Sequence, residues 1–212
     1  MIQVICADIS KLDVSDYHAL YEAASAERRS RADAYRFRED SLRCVTADAL
    51  LRYALGTSEY TVEHTPSGKP FLKGREGFFY NLSHAGCWVV IAWGNSEVGV
   101  DVEEVSGASH PDAIARRFFT PEEQNYIFKD GQLLRQRFAE IWTGKESYLK
   151  FLGTGLKKEL TSFSVLSLPP EIHLHHCMLP GNCSLTICTT EPEFRMELLD
   201  ARKLSGSITV DC

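Results

Sequence analysis

The segment VGVDVEEV at residues 98–105 alternates between valine and other residues from Val98 to Glu103. It follows an apolar run at residues 88–93, across the turn residues Gly94, Asn95 and Ser96. A period of two places alternate side chains on opposite faces of a strand, whereas a helix needs its apolar residues three or four apart. This part of the chain is therefore committed to β structure. With the aromatic-rich segment 78–82 before it, the pattern predicts a hairpin or meander. Residues 2–8 alternate weakly and predict a first strand; residues 161–167 and 184–190 read as later ones.

Helical spacing appears elsewhere. Leu42, Val45, Thr46, Ala49, Leu50 and Tyr53 recur at that period, with Gly56 where a left-handed cap belongs, which predicts a helix over 39–55. Ser25 can cap a helix through the arginines that follow. Thr120, Pro121 and Glu123 form a helix start with a capping box, and a long helix is expected over 133–152, ending near Gly153 and Gly155. Few helices, short strands and no regular βαβ alternation point to an α+β fold rather than a doubly wound one. With 44% hydrophobic residues, 212 residues suffice for one domain or two small halves.

The net charge of −6 gives no footprint for nucleic acid. Yet Arg28, Arg29, Arg31, Arg36, Arg38 and Arg43 crowd one stretch, which suits a small anionic ligand. No segment approaches the ~18 apolar residues of a membrane span. The first residues show no signal-peptide pattern, so a cytoplasmic protein is expected. Its seven scattered cysteines, without a C-x-x-C pair, then read as reduced thiols.

Three places carry candidate chemistry. On the 98–105 strand, Asp101 and Glu103 share a face and repel each other unless a cation lies between them; all-oxygen ligands favour Mg²⁺. Gly99 beside them reads as room for a bulky ligand. Taken alone, the same alternation fits a solvated strand face better. On the segment WTGKESYLK at 142–150, Trp142, Glu146 and Lys150 follow one helix face. Glu146 could be a ligand or a base and Lys150 a phosphate contact, although, taken alone, an ordinary intrahelical ion pair explains that spacing better. Asn81, Ser83 and His84 close an apolar strand, and His84 can donate to a phosphate. Lys69, in a glycine–proline turn, is a further phosphate candidate, although each of these residues, taken singly, is better read as a solvated polar side chain. The histidines and cysteines over 173–183 match no standard zinc spacing.

Order and spacing together are more specific. GKP at 68–70, FYNLSHAG at 79–86, VGVDVE at 98–103, RFF at 117–119 followed by Glu123, and WTGKESYLK at 142–150 resemble the 4′-phosphopantetheinyl transferases of the surfactin-synthetase-activating (Sfp) type. RFRED at 36–40 and Arg43 extend the likeness, which covers residues 25–155. Ala85 stands where serine is common in that family, and Arg28 and Arg31 where lysines often occur. The tail from Ser205 to Cys212 matches nothing in the family.

The resemblance implies a pseudo-dimer of two similar α+β halves, residues 1–104 and 105–212, with the active site between them. It implies transfer of 4′-phosphopantetheine from coenzyme A to a serine of an apo acyl or peptidyl carrier protein, releasing adenosine 3′,5′-bisphosphate. This is the holo-acyl-carrier-protein synthase class of transferase. By the family's pattern Asp101, Glu103 and Glu146 hold Mg²⁺. Arg28, Arg31, Arg43, Lys69, Ser83 and His84 bind coenzyme A, and Lys150 contacts the phosphate near the reacting centre. Glu146 takes the serine proton, with Glu123 as second candidate. A monomer is expected, with Phe118 and Phe119 near the docked carrier. The carrier could serve fatty-acid, polyketide, nonribosomal peptide or siderophore synthesis. A Mg²⁺-dependent pyrophosphate hydrolase and a non-catalytic binding protein are the rival readings.

Overall fold

The computed structural model describes residues 1–155 and 158–206. Of the tail from Ser205 to Cys212, residues 207–212 lie outside them. Strands are β1 (Ile2–Asp8), β2 (Val62–His64), β3 (Pro70–Leu72), β4 (Phe79–Ala85), β5 (Trp88–Gly94), β6 (Val98–Glu104), β7 (His173–Leu179), β8 (Cys183–Thr189) and β9 (Phe194–Asp200). Helices are α1 (Val14–Ala23), α2 (Ala26–Asp33), α3 (Arg38–Leu55), α4 (Pro111–Phe118), α5 (Pro121–Phe128), α6 (Leu134–Leu152) and α7 (Arg202–Gly206). The α+β expectation holds.

The strands form a four-stranded sheet in the order β4-β5-β1-β9, a three-stranded sheet β6-β8-β7, and the small hairpin β2-β3. Among the described residues, only β1 and β9 run parallel. The larger sheets stack face to face. Val4 and Cys6 of β1 and Trp88, Val90 and Ala92 of β5 meet Val98, Val100 and Val102 of β6 and Leu185 and Ile187 of β8. The alternate residues Ile5, Ala7, Val89 and Ile91 turn the other way, onto Val45, Leu50 and Leu51 of α3. On the far side α6 covers β6 and β8. The layers are thus helix, sheet, sheet, helix, and β5 is buried on both faces, which is why it reads as a continuous apolar run. Each such valine or isoleucine stabilises the fold by about 1.5–3 kcal/mol.

Helices α3 and α6 are matched elements, of 18 and 19 residues. Each lies on one sheet and ends on a left-handed glycine, Gly56 at φ 64° and Gly153 at φ 65°. Two expectations fail. Strands β5 and β6 do not form a hairpin: the turn at 94–96 carries the chain from one sheet to the other, and the hairpin is β4–β5. Residues 161–167 hold no strand; a short 3₁₀ turn occupies Leu160–Ser162, and the backbone there serves as acceptor for a buried lysine. Helix α1 was not anticipated, although Asp13 and Asp16 form its capping box.

Candidate active site

Strands β4 and β6 are the facing edges of the two sheets, and side chains join them. Val100 N–H donates to Asn81 Oδ1 at 2.9 Å and Val102 N–H to Ser83 Oγ at 3.3 Å. An unpaired edge would leave these amides orphaned. Asn81 and Ser83 therefore fix the position of Asp101, which lies between the two anchored residues.

Alternation along β6 turns Gly99, Asp101 and Glu103 away from the sheet–sheet core, toward α6. A Cβ on Gly99 would lie 2.0 Å from Ser147 O and 2.4 Å from Phe151 N. The expectation that Gly99 makes room for a ligand is corrected: the room is filled by the α6 backbone. This close approach brings Glu146 and Lys150 over Asp101. Lys150 Nζ donates to Asp101 Oδ1 at 2.7 Å, to Val100 O at 3.0 Å and to Ser83 Oγ at 3.1 Å. Ser83 Oγ in turn donates to Asp101 Oδ1 at 2.9 Å.

Asp101 is 4% exposed, and its Oδ2 is buried without a hydrogen bond. Burial, then the Asp101 charge, pushes the Glu103 carboxyl up to about 7. The same two causes raise Glu146, with Lys150 opposing them. Neighbouring half-buried carboxylates with raised pKa values, beside the buried Asp101, ask for a further positive charge. Among the described residues, no group of three or more His, Cys, Asp or Glu is already gathered as a metal centre. The oxygen donor set and the orphaned Asp101 Oδ2 nevertheless fit a hard cation.

The basic residues divide between two adjoining hollows. A cavity of about 510 Å³ is lined by Arg28, Arg31, Arg52, His64 and His84, with Asp48 and Tyr60. A second, of about 290 Å³, is lined by Lys69, Asn81, Glu146 and Lys150. Pro70 and Leu82 border both, so a groove runs from the arginines to Glu146 and Lys150. A third hollow, between Glu103, Trp142, Ile114 and Phe138, lies on the other side of the carboxylates. Partial desolvation, then the charges of Arg43 and Lys150, lowers the His84 pKa. Arg43 itself donates through Nε and Nη2 to Gly86 O at 3.0 and 2.8 Å and through Nη1 to Asp40 at 2.8 Å. Lys69 Nζ donates to Phe151 O at 2.9 Å and pairs with Glu97.

Several residues that shape the site were not singled out from the sequence. Asp48, 1% exposed, takes Arg52 Nε at 3.0 Å, the Tyr60 hydroxyl at 2.6 Å and Arg28 Nε at 3.5 Å. It thereby holds Arg28 at the cavity wall; an aspartate and an arginine four apart on the buried face of α3 were the available signal. Lys145 is buried against Glu123 at 2.9 Å and donates to Leu160 O and Phe163 O, both at 2.7 Å. Glu123 also accepts from Thr120 N at 2.9 Å and Val165 N at 2.8 Å. This saturated, inaccessible carboxylate is no base for an incoming hydroxyl. Phe119, 2% exposed, packs on Phe138 with ring centroids 5.5 Å apart and is withdrawn from any docking face, whereas Phe118 is exposed.

Comparison with known proteins places the chain in a family. A family model of the 4′-phosphopantetheinyl transferase superfamily matches residues 97–185, the stretch that carries Asp101, Glu103, Glu146 and Lys150. A 4′-phosphopantetheinyl transferase of Bacillus pumilus is 34% identical over 180 residues, covering 81% of this chain and 76% of its own. The 4′-phosphopantetheinyl transferase Sfp of Bacillus subtilis (strain 168) is 32% identical over 185 residues, 84% of this chain and 82% of its own. HetI of Nostoc sp. (strain PCC 7120) is 29% identical over 168 residues, covering 74% and 70%.

Proposed function

The chain belongs to the 4′-phosphopantetheinyl transferase superfamily, and on that premise we propose that it transfers the phosphopantetheine group of coenzyme A to the serine of an apo acyl or peptidyl carrier protein. The observation that carries this reading is the placement of Asp101 and Glu103 on β6 under Glu146 and Lys150 on α6, beside a groove lined with arginines.

Coenzyme A would lie along that groove. Arg28, Arg31 and His84 would receive the phosphate of the 3′-phosphoadenosine end, with Arg43 and Lys69 adding positive field from the flanks. Ser83, whose hydroxyl is already used by Val102, Asp101 and Lys150, orients those two side chains. Asp101, Glu103 and Glu146 would hold Mg²⁺, which, when bound, neutralises pyrophosphate oxygens. Lys150 neutralises the charge that grows on the leaving bisphosphate. Glu146, with its raised pKa, accepts the proton of the carrier serine hydroxyl as that oxygen attacks the β-phosphorus; adenosine 3′,5′-bisphosphate leaves. Such a transfer depends on positioning and charge more than on covalent help, so the cysteines have no part in it.

The division into halves 1–104 and 105–212 belongs to this proposal. The matched placement of α3 and α6 supports it, with β6 and β9 each paired into the sheet of the other half. Among the described residues no helix is long and apolar enough to cross a membrane; a cytoplasmic monomer is proposed with the rest. The test is intact-mass spectrometry of apo acyl and peptidyl carriers after incubation with coenzyme A and Mg²⁺. A gain of one phosphopantetheinyl group, lost with EDTA and in Asp101→Ala, is expected. A carrier that stays apo while coenzyme A is consumed would instead indicate a hydrolase.

A further inference from the structure

We propose that Lys150 is the resident cation of the carboxylate site in the ligand-free protein, and that it must give up Asp101 before the divalent cation and coenzyme A can both be bound. This inference rests on the reading of Asp101, Glu103 and Glu146 as metal ligands.

An ammonium has three hydrogens and no more. Those of Lys150 are directed to Asp101 Oδ1 at 2.7 Å, Val100 O at 3.0 Å and Ser83 Oγ at 3.1 Å. All three acceptors belong to the protein, so the ammonium is already satisfied. It cannot keep this set and also neutralise a substrate phosphate. Turning to the phosphate means leaving Asp101, whose carboxylate is buried and whose Oδ2 already lacks a partner. A buried carboxylate without a counter-charge is strongly disfavoured, and another cation has to take the vacated place. Entry of the divalent cation, conversely, drives the ammonium off Asp101 and toward the phosphate. Lys150 sits in the last turn of α6, two residues before the C-terminal end, on a four-carbon stem that can make that movement.

Each ligand therefore prepares the site for the other. Thermodynamic linkage makes this coupling reciprocal: coenzyme A raises metal affinity by the same factor as the metal raises affinity for coenzyme A. The lysine acts as a lock on the site, in addition to its role at the leaving group.

The experiment measures Mn²⁺ binding by electron paramagnetic resonance, with a protein-free blank to subtract Mn²⁺ held by coenzyme A. Wild type, Lys150→Met, Lys150→Gln and Lys73→Met are compared with and without coenzyme A. Lys73, paired with Glu63 at 2.9 Å on the surface, controls for the loss of one positive charge outside the groove. We expect wild type alone to bind Mn²⁺ at least about tenfold more weakly than either Lys150 variant. Coenzyme A, whose pyrophosphate itself attracts the metal, should tighten Mn²⁺ binding in every protein, but at least about threefold more in wild type and Lys73→Met than in the Lys150 variants. The inference is overturned if wild type alone binds Mn²⁺ as tightly as the Lys150 variants. It also fails if coenzyme A tightens all the proteins equally, or if Lys73→Met alone gains Mn²⁺ affinity as Lys150→Met does. The second Lys150 variant keeps the comparison in hand should the first misfold. Absence of Mn²⁺ binding in every protein, with coenzyme A or without, would instead overturn the metal-site reading and this inference with it.

Discussion

Lys145 Nζ lies 2.9 Å from Glu123 Oε2, and both side chains are fully buried. The pair joins α5 to α6 and, through Leu160, Phe163 and Val165, secures the loop beneath them. Removing one member of a buried pair leaves a charge without compensation. Glu123→Gln should destabilise the protein by about 3–5 kcal/mol, read as a fall in the urea midpoint. Transfer measured per folded molecule should change little, because Glu123 does not reach the groove.

Gly99 separates two backbones. A methyl group there would meet Ser147 O and the Phe151 amide, atoms that cannot rotate aside. Gly99→Ala should therefore cost about 1–3 kcal/mol or more and push α6 off β6, carrying Glu146 and Lys150 away from Asp101. Thermal denaturation and the transfer assay should both register it, in contrast to Glu123→Gln.

The raised Glu103 and Glu146 carboxyls make stability depend on pH. The folded, metal-free protein keeps protons on them that the unfolded chain releases. Their contribution is present below the ordinary glutamate range and is lost as pH rises toward about 7, the value for Glu103. In EDTA the melting temperature should fall across that window, and Glu103→Gln should flatten the slope. Divalent-metal affinity should rise across the same window, since the ligands must be deprotonated.

Asp48 lies 3.5 Å from Arg28 Nε and holds this arginine at the wall of the larger cavity. A hydrogen bond to a charged group contributes about 1.5–3 kcal/mol, so Arg28→Ala should raise KM for coenzyme A about tenfold or more. Dephospho-coenzyme A, which lacks the 3′-phosphate, should show a much smaller difference between wild type and variant. Equal losses with both substrates would place Arg28 elsewhere.

Much of the site was legible because its residues lie on regular elements. Alternation on β6 gives the shared face of Asp101 and Glu103, and helical spacing on α6 gives that of Glu146 and Lys150. What periodicity cannot give is pairing. The apolar run of β5 and the alternation of β6 look like two arms of a hairpin, and only the packing of two stacked sheets separates them. The same limit hid the role of Asn81, which reads as a polar residue at a strand end until Val100 lies opposite it. Lys145 and Glu146 are adjacent charges in the sequence. That one is a buried strut and the other a site residue follows from which side of α6 each occupies. Gly99 reads in the sequence as room for a ligand, but what fills that room is the protein's own helix.

The most direct test of the account follows both products of one reaction. Wild-type protein, coenzyme A, Mg²⁺ and an apo carrier are combined, and carrier mass and adenosine 3′,5′-bisphosphate are measured together. The account predicts one bisphosphate released for each phosphopantetheinyl group gained, and neither product without a carrier. Bisphosphate released while the carrier stays apo would contradict it.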